Sequence, residues 1–126
     1  MLKDRDSAAI VGVKDLDRAK AFYGETLGLE ETPESGDQVA MYRTGGTVLC
    51  VYPSEFAGTN KANAVVWGVG DELEAIVADL AGKGVTFEHY DMPDTTYANG
   101  IHELGGFKMV WFTDPDGNIL HINSGD

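Results

Sequence analysis

Two separate stretches of the chain alternate apolar and polar positions in the same way. Residues 8–15 (AAIVGVKD) align without a gap with residues 64–71 (AVVWGVGD), and each stretch ends on an aspartate. Apolar residues at every second position are typical of a β-strand, and an aspartate directly afterwards is a favoured helix N-cap. The pattern therefore predicts an internal repeat in which a strand leads into a helix at two places in the chain.

The segments behind both aspartates have the apolar spacing of amphipathic helices. In residues 15–28 the apolar residues Leu16, Ala19, Phe22, Tyr23 and Leu27 lie along one side of the helix. In the second copy the corresponding residues are Leu73, Ile76, Val77 and Leu80. Asp71 and Glu74 have the spacing of a capping box. Gly28 and Gly84 lie where a left-handed C-cap would end each helix. We therefore expect one capped helix in each copy.

Each helix is followed by segments with strand-like patterns. They cover residues 38–43, 47–52, 107–112 and 118–123. Between the last two, Pro115 suits a type I turn and Gly117 can take a positive φ. Residues 53–63 are expected to link the two copies. Residues 89–106, rich in Asp, Asn, Gly and Thr, are predicted to form a loop over one face of the sheet.

The composition limits the functions that the protein can have and the cell compartment in which we expect it. The 126 residues include 21 Asp and Glu against 9 Lys and Arg, and the net charge of −12 argues against nucleic-acid binding. No apolar run approaches the roughly 20 residues of a membrane span, and the start of the chain lacks the apolar stretch of a signal peptide. Cys50 has no second cysteine to pair with. We therefore expect one cytoplasmic domain without a disulfide and without a membrane partner.

Two motifs carry a resemblance to a known family. Residues 15–29 (DLDRAKAFYGETLGL) and 111–122 (WFTDPDGNILHI) resemble the vicinal-oxygen-chelate superfamily, the group of glyoxalase I, extradiol dioxygenases, fosfomycin-resistance enzymes and bleomycin-binding resistance proteins. The resemblance implies an α+β fold with two paired βαβββ modules, residues 1–53 and 64–126, in a single domain of residues 1–126. Their strands would form an open, eight-stranded barrel-like sheet around a small-molecule cavity. Because this fold hosts lyases, dioxygenases, transferases and binders, the function stays open.

The resemblance also implies where a metal would be bound. Metal-dependent members take ligands from equivalent strand positions, which here are Ala8, Cys50, Ala64 and His121. Alanine cannot coordinate, whereas a catalytic zinc usually has three protein ligands and a non-haem iron dioxygenase has two histidines and a carboxylate. We therefore expect no metal cofactor. The alternative is a divalent metal at Cys50 and His121, with further ligands from His89, His102 or Glu103.

His121 is a titratable residue in an otherwise apolar predicted strand. Strand alternation places it on one face together with Ile119 and Asn123. It could line a pocket as a hydrogen-bonding group, act as a general base, or be an inert core residue, and its reference pKa near 6.5 suits base chemistry. The lining role is favoured because the nearby sequence offers no partner carboxylate. The other candidate ligand-binding residues are Cys50, Tyr52, Trp111, His102 and Arg43.

These observations lead to hypotheses from different functional classes. The first is a metal-free protein that binds a small, partly aromatic molecule, such as an antibiotic or another hydrophobic ligand, and acts by sequestration as a homodimer. The second is an enzyme, either a glyoxalase-type lyase or isomerase or a dioxygenase-like protein, with a non-standard metal site or with His121 as its acid–base residue. The third is a structural or regulatory dimer whose cavity is vestigial.

Overall fold

The computed structural model describes residues 1–125, which divide into two compact units. The first unit contains Met1–Ala64 and the segment Asp114–Asn118. The second contains Val65–Thr113 and the strand that begins at Ile119. The segment Asp114–Asn118 therefore belongs to the first unit although it comes late in the chain. Within residues 1–125, no helix has both the length and the hydropathy that crossing a membrane requires.

The first unit is a four-stranded sheet with one helix. After a 3-10 turn at Leu2–Asp4, its elements are β1 (Ala9–Val13), α1 (Leu16–Lys20), β2 (Glu30–Glu31), β3 (Ala40–Thr44) and β4 (Thr47–Pro53). The strand order is β1-β4-β3-β2, in which β1 and β4 are parallel and the other pairs are antiparallel. The strands predicted at 38–43 and 47–52 are confirmed as β3 and β4.

The predicted caps of the first helix are confirmed. The Asp15 carboxylate accepts a hydrogen bond of 3.2 Å from the backbone N–H of Arg18. Behind α1 the helix widens into a π-helical segment, Ala21–Thr26, in which Tyr23 is completely buried. Gly28 follows with a φ of +72°, the left-handed conformation that a C-cap glycine adopts without steric cost.

The second unit repeats this order of elements and adds one strand. Its elements are β5 (Asn63–Gly68), a 3-10 turn (Gly70–Glu72), α2 (Leu73–Gly82), β6 (Thr96–Ala98), β7 (Ile101–Leu104), β8 (Phe107–Thr113) and β9 (Ile119–Asn123). The strand order is β5-β9-β8-β7-β6. The strands predicted at 107–112 and 118–123 are confirmed as β8 and β9. Gly84, with a φ of +92°, also confirms the predicted left-handed glycine behind α2.

The predicted capping box of the second helix is wrong. Asp71 lies within the 3-10 turn, and α2 begins at Leu73. The N-cap residue of α2 is therefore Glu72, whose side chain makes no capping hydrogen bond. The Glu74 carboxylate instead forms an ion pair with the Lys108 ammonium group on β8. A tertiary ion pair has thus replaced the local contact that the sequence spacing favoured.

The loop predicted at residues 89–106 is also corrected, because part of it is a β-hairpin. β6 and β7 pair antiparallel, with Tyr97 opposite His102. The connecting residues Asn99 and Gly100 have φ values of +53° and +86°, as a two-residue hairpin turn of type I′ requires. β6 is an additional strand at the edge of the second sheet. The other eight strands and the two helices form two βαβββ sets, so the predicted modules are confirmed with one strand added.

The DPDG segment is a turn, as predicted. Gly117 has a φ of +89°, and its backbone N–H donates to the carbonyl oxygen of Asp114 at 3.0 Å. The Asp114 backbone N–H in turn donates to the carbonyl oxygen of Asn118 at 3.0 Å. These main-chain bonds close the turn from both ends.

The buried carboxylate of Asp114 organises the interior of this turn. One oxygen accepts the backbone N–H groups of Asp116 and Asn118, each at 2.9 Å. The other accepts the Tyr23 hydroxyl at 2.7 Å and the Asn118 side-chain amide at 2.8 Å. Burial and the negative charge of Asp114 raise the pKa of Tyr23 far above its ordinary value, so the phenol remains a proton donor. This network anchors the turn within the first unit.

Candidate functional site

The two faces of the second sheet have different chemistry. Val110, opposite Ile122, and Phe112, opposite Leu120, are at most 5% exposed and lie on one face. Lys108 shares that face by strand alternation, and its ion pair with Glu74 places α2 over it. The apolar side chains on this face therefore form the core under the helix. Trp111 and His121, opposite each other in the register, lie on the other face.

This second face carries a group of stacked and edge-on rings, which we name the histidine–aromatic cluster. It consists of His89, Tyr90, Tyr97, His102, Trp111 and His121. Strand pairing brings most of it together, since Tyr97 lies opposite His102 and Trp111 lies opposite His121. The ring centroids of His102 and Trp111 are 5.0 Å apart, so the cluster is continuous across the sheet. All three histidines of the chain belong to it.

Trp111 and His121 form a stacked pair at one end of the cluster. Their ring centroids are 4.6 Å apart, and their planes differ by 20°. The Nδ1 atom of His121 lies 3.0 Å from the Val110 carbonyl oxygen, which can only accept, so the proton is on Nδ1. Its Nε2 atom then accepts a hydrogen bond of 3.2 Å from the side-chain amide of Asn123. Both nitrogens of this neutral imidazole are therefore bonded, and the predicted shared face of His121 and Asn123 is confirmed.

The stability of the protein should fall as the pH is lowered through the titration of His121. Burial lowers the pKa of this imidazole below its ordinary value of 6.5, and the hydrogen bond to Val110 only partly opposes the shift. The unfolded chain thus binds the proton more readily than the folded chain. The stabilising contribution is complete above about pH 6.5 and is lost as the pH falls through the lower pKa of the folded state.

Urea denaturation at about pH 7.5 and about pH 5 measures this effect. We expect the free energy of unfolding to fall less between these pH values in a His121→Gln variant than in the wild type. The variant keeps every other titratable group, so the difference isolates His121. The same loss in both proteins would contradict the prediction.

His102 lies in the middle of the cluster and is completely buried. Its Nε2 atom accepts the backbone N–H of Tyr90 at 3.0 Å, whereas its Nδ1 atom is buried without a hydrogen-bond partner. Aromatic rings surround the imidazole, and those of Tyr97 and Trp111 meet it edge-on at 4.8 and 5.0 Å. A buried polar group left without a partner costs about 1–3 kcal/mol.

The outer part of the cluster, formed by His89 and Tyr97, is exposed and lies in a part of the chain with little regular structure. The rings of His89 and Tyr97 stack with centroids 3.8 Å apart and planes within 13°. Tyr97 is 38% exposed, and more than half of the His89 side chain is exposed. Residues 85–95 form neither helix nor strand, although the Glu88 N–H donates to the Trp111 carbonyl oxygen at 2.8 Å. This segment and the short β6 carry His89, Tyr90 and Tyr97, the exposed members of the cluster.

The other predicted site residues lie on one face of the first sheet. Cys50 is opposite Met41 and Ile10 in the register, and alternation places Arg43 and Tyr52 on the same face. Cys50 is half-buried, whereas Arg43 and Tyr52 are exposed. A shallow pocket of about 140 Å³ beside this face has room for a single small ring, and its lining includes Ile10, Gly12, Tyr52, Phe56 and Ala64.

A family model covers nearly the whole chain. The model of the Glyoxalase/Bleomycin resistance protein/Dioxygenase superfamily matches residues 7–122. The chain belongs to this superfamily. The family resemblance inferred from the two sequence motifs is thereby confirmed.

Solved structures of superfamily members have the same fold. A glyoxalase/bleomycin resistance protein from Catenulispora acidiphila is 28% identical, with a TM-score of 0.68 over 94% of this chain and 96% of that chain. Lactoylglutathione lyase from Agrobacterium tumefaciens is 19% identical, with a TM-score of 0.68 over 94% and 92% of the two chains. The fosfomycin resistance protein FosX from Listeria monocytogenes is 16% identical, with a TM-score of 0.72 over 97% and 93%. The predicted α+β fold class of this superfamily is confirmed.

The residues present do not fit a metal centre of the kind that superfamily resemblance suggested. Residues 1–125 contain no group of three or more His, Cys, Asp or Glu side chains arranged to hold a metal ion. Two expected ligand positions, Ala8 and Ala64, carry only methyl groups. At a third position, a metal on His121 would have to displace either the Val110 or the Asn123 hydrogen bond.

The sequence singled out three of the cluster residues as ligand-binding candidates and named His89 only as a further ligand of the alternative metal site. Trp111, His102 and His121 were candidates, and the structure brings them together. The remaining members, His89, Tyr90 and Tyr97, lie in the segment predicted to be a loop. The Asn99–Gly100 pair was the available signal, because a type I′ turn there pairs Tyr97 with His102.

Proposed function

We propose that this superfamily member binds a small, planar organic molecule on its histidine–aromatic cluster, without a metal, and acts by sequestering it. The stacked Trp111–His121 pair carries the proposal. The two rings stack on each other, and the imidazole is neutral with both nitrogens bonded, so the pair is suited to packing rather than to coordination. Flat rings of this kind stack on planar ligands and contribute beyond their buried area.

The surroundings of the cluster support a neutral or cationic ligand rather than an anion. The cluster itself contains only histidine, tyrosine and tryptophan rings, and the chain carries a net charge of −12. An acidic protein favours the approach of cations and disfavours that of anions. The Catenulispora relative carries bleomycin resistance in its name, which makes an antibiotic with planar rings a suitable probe.

We further propose a cytoplasmic homodimer. Apolar side chains are exposed on one edge strand of each sheet, with Ile10 on β1 at 65% and Val66 on β5 at 57%. Exposed apolar residues on a sheet edge are a liability that association with a second chain removes.

Ligand binding should raise the melting temperature, and Trp111→Ala should abolish most of that effect. A ligand at about 100 times its Kd adds about 2.7 kcal/mol to the free energy of unfolding. A thermal-shift screen of bleomycin and other planar aromatic compounds, run in EDTA, should therefore find a stabilising compound. Loss of the stacking surface should weaken its binding by about 10- to 100-fold, measured by isothermal calorimetry.

Trp67→Phe is the matched control, because Trp67 lies on β5 outside the cluster and its loss should leave the affinity unchanged. Two results would contradict the proposal. One is binding that is the same in Trp111→Ala as in the wild type. The other is stoichiometric zinc, nickel, manganese or iron in protein purified without chelator, lost on His121→Ala substitution.

The enzyme hypothesis has less support from the same geometry. A general base needs a free lone pair, and that of His121 accepts the Asn123 amide. Base chemistry at this position would therefore require the Asn123 side chain to turn away first.

A further inference from the structure

We infer that His102 is the specificity-determining donor of the cluster and selects planar ligands that carry a neutral carbonyl oxygen. The inference rests on the proposed function, since it concerns the ligand of the same cluster. It also assigns the exposed His89–Tyr97 stack as the part of the cluster that the ligand displaces. All of these residues belong to the second unit.

The first step is the protonation state of His102. A backbone N–H can only donate, so the Nε2 atom that receives the Tyr90 N–H must carry a lone pair. A second proton at Nε2 would oppose two donors across 3.0 Å, and the imidazole is therefore held neutral. Its single N–H is on Nδ1.

The second step is that this N–H has no acceptor in the part of the chain that the structure describes. Nδ1 is buried without a hydrogen-bond partner, and the groups packed around it are rings. The π faces of Tyr97 and Trp111 are weak acceptors at best. Buried donors are satisfied in most native structures, and an exception marks a place where a partner from outside can contribute.

The third step is access. The side chains over His102 come from residues that are themselves partly exposed, with Tyr90 and Tyr97 each at 38%. Tyr97 is on a three-residue edge strand, and Asp94, in the segment before it, has a φ of +57° although it is not glycine. Elements with few buried contacts open at low free-energy cost. A flat ligand can thus replace the His89–Tyr97 stack against His102, whose ring lies 5.0 Å from that of Trp111.

The fourth step is the class of ligand. An N–H of a neutral imidazole suits an uncharged acceptor, and the acidic chain disfavours a carboxylate. The flanking rings require a flat, apolar body. Together these conditions describe an aryl ketone, a quinone or a pyridone-like ring.

The experiment compares two probes of nearly the same shape, 2-acetylnaphthalene and 2-ethylnaphthalene, of which only the first has an acceptor oxygen. Binding is measured on the full chain by tryptophan fluorescence and by NMR of ¹⁵N-labelled protein. We expect the ketone to bind about 10-fold more tightly, which corresponds to about 1.4 kcal/mol. The Nδ1–H resonance of His102 should shift downfield with the ketone and not with the hydrocarbon.

His102→Phe keeps a ring at this position and removes the N–H, so the affinity ratio should fall to about 1 while the hydrocarbon still binds. Trp67→Phe, on β5 outside the cluster, is the control and should keep the wild-type ratio. The probe ratio and the Nδ1–H shift in the wild type need no variant, so a poorly folded His102→Phe protein does not weaken the test.

Equal affinities for the two probes, with the Trp111 indole resonance perturbed by both, would overturn the role of His102 and leave the proposed function standing. If neither probe perturbs Trp111, both the inference and the proposed function fail for this class of ligand. The two failures are therefore distinguishable in one titration.

Discussion

Replacing Asp114 by alanine should lower the free energy of unfolding by about 3–5 kcal/mol, as loss of a buried hydrogen-bond network does. The residue is 4% exposed, and its carboxylate accepts four hydrogen bonds, from two backbone N–H groups, the Tyr23 hydroxyl and the Asn118 amide. Bonds to a charged acceptor are the stronger ones, and the Tyr23 and Asn118 side chains that would lose this acceptor are buried. Urea denaturation followed by circular dichroism measures the loss.

Tyr23→Phe is the graded control for this prediction. It removes only the phenol–carboxylate bond of 2.7 Å, so it should cost about 2 kcal/mol. In the double variant the two losses should not add, because Tyr23 and Asp114 share one bond, and the double-mutant cycle measures their coupling. A loss below about 1 kcal/mol for Asp114→Ala would show that the turn does not depend on this network.

Replacing Gly58 by alanine should destabilise the first unit by about 3 kcal/mol or more. Gly58 has a φ of +75°, and a Cβ atom there would lie 2.0 Å from the carbonyl oxygen of Asp116. That oxygen is backbone within the anchored DPDG turn, so it cannot rotate away as a flexible side chain would. The chain must shift at one side of the contact or the other.

Gly28→Ala separates the steric contact from the backbone conformation. Gly28 has nearly the same φ, +72°, but a Cβ atom added there would meet nothing within 4 Å. It should therefore cost only the left-handed conformation of alanine, about 1 kcal/mol. Thermal and urea denaturation of both variants give the difference. Equal losses would contradict the assigned clash at Gly58.

Much of the local structure was predictable because it depends on residues close together in the chain. Asp15 caps α1 through a bond to a residue three positions on, and Gly28 and Gly84 take positive φ where each helix pattern ends. The DPDG turn is closed by its own main chain. Side-chain alternation also placed His121 and Asn123 on one face, which the structure confirms.

The candidate site was only partly predictable, because its members meet through strand register. Tyr97 joins the cluster because the Asn99–Gly100 turn sets it opposite His102. The proton of His102 is on Nδ1 because the backbone of Tyr90, distant along the chain, occupies Nε2. Neither fact follows from composition or periodicity. The predicted capping box of Asp71 and Glu74 is wrong for a related reason, since Lys108 on β8 forms an ion pair with Glu74 of α2.

The sequence by itself determined the repeat, the family and the alanines at two expected metal-ligand positions, because these are properties of residue identity and short-range pattern. Only the tertiary structure decided which rings surround His102 and which nitrogen of each of His102 and His121 carries the proton. It also decided that the late segment Asp114–Asn118 belongs to the first unit. Hydrogen-bond direction and ring stacking depend on atoms that strand pairing and loop packing bring within a few ångströms. Spacing along the chain does not specify those contacts.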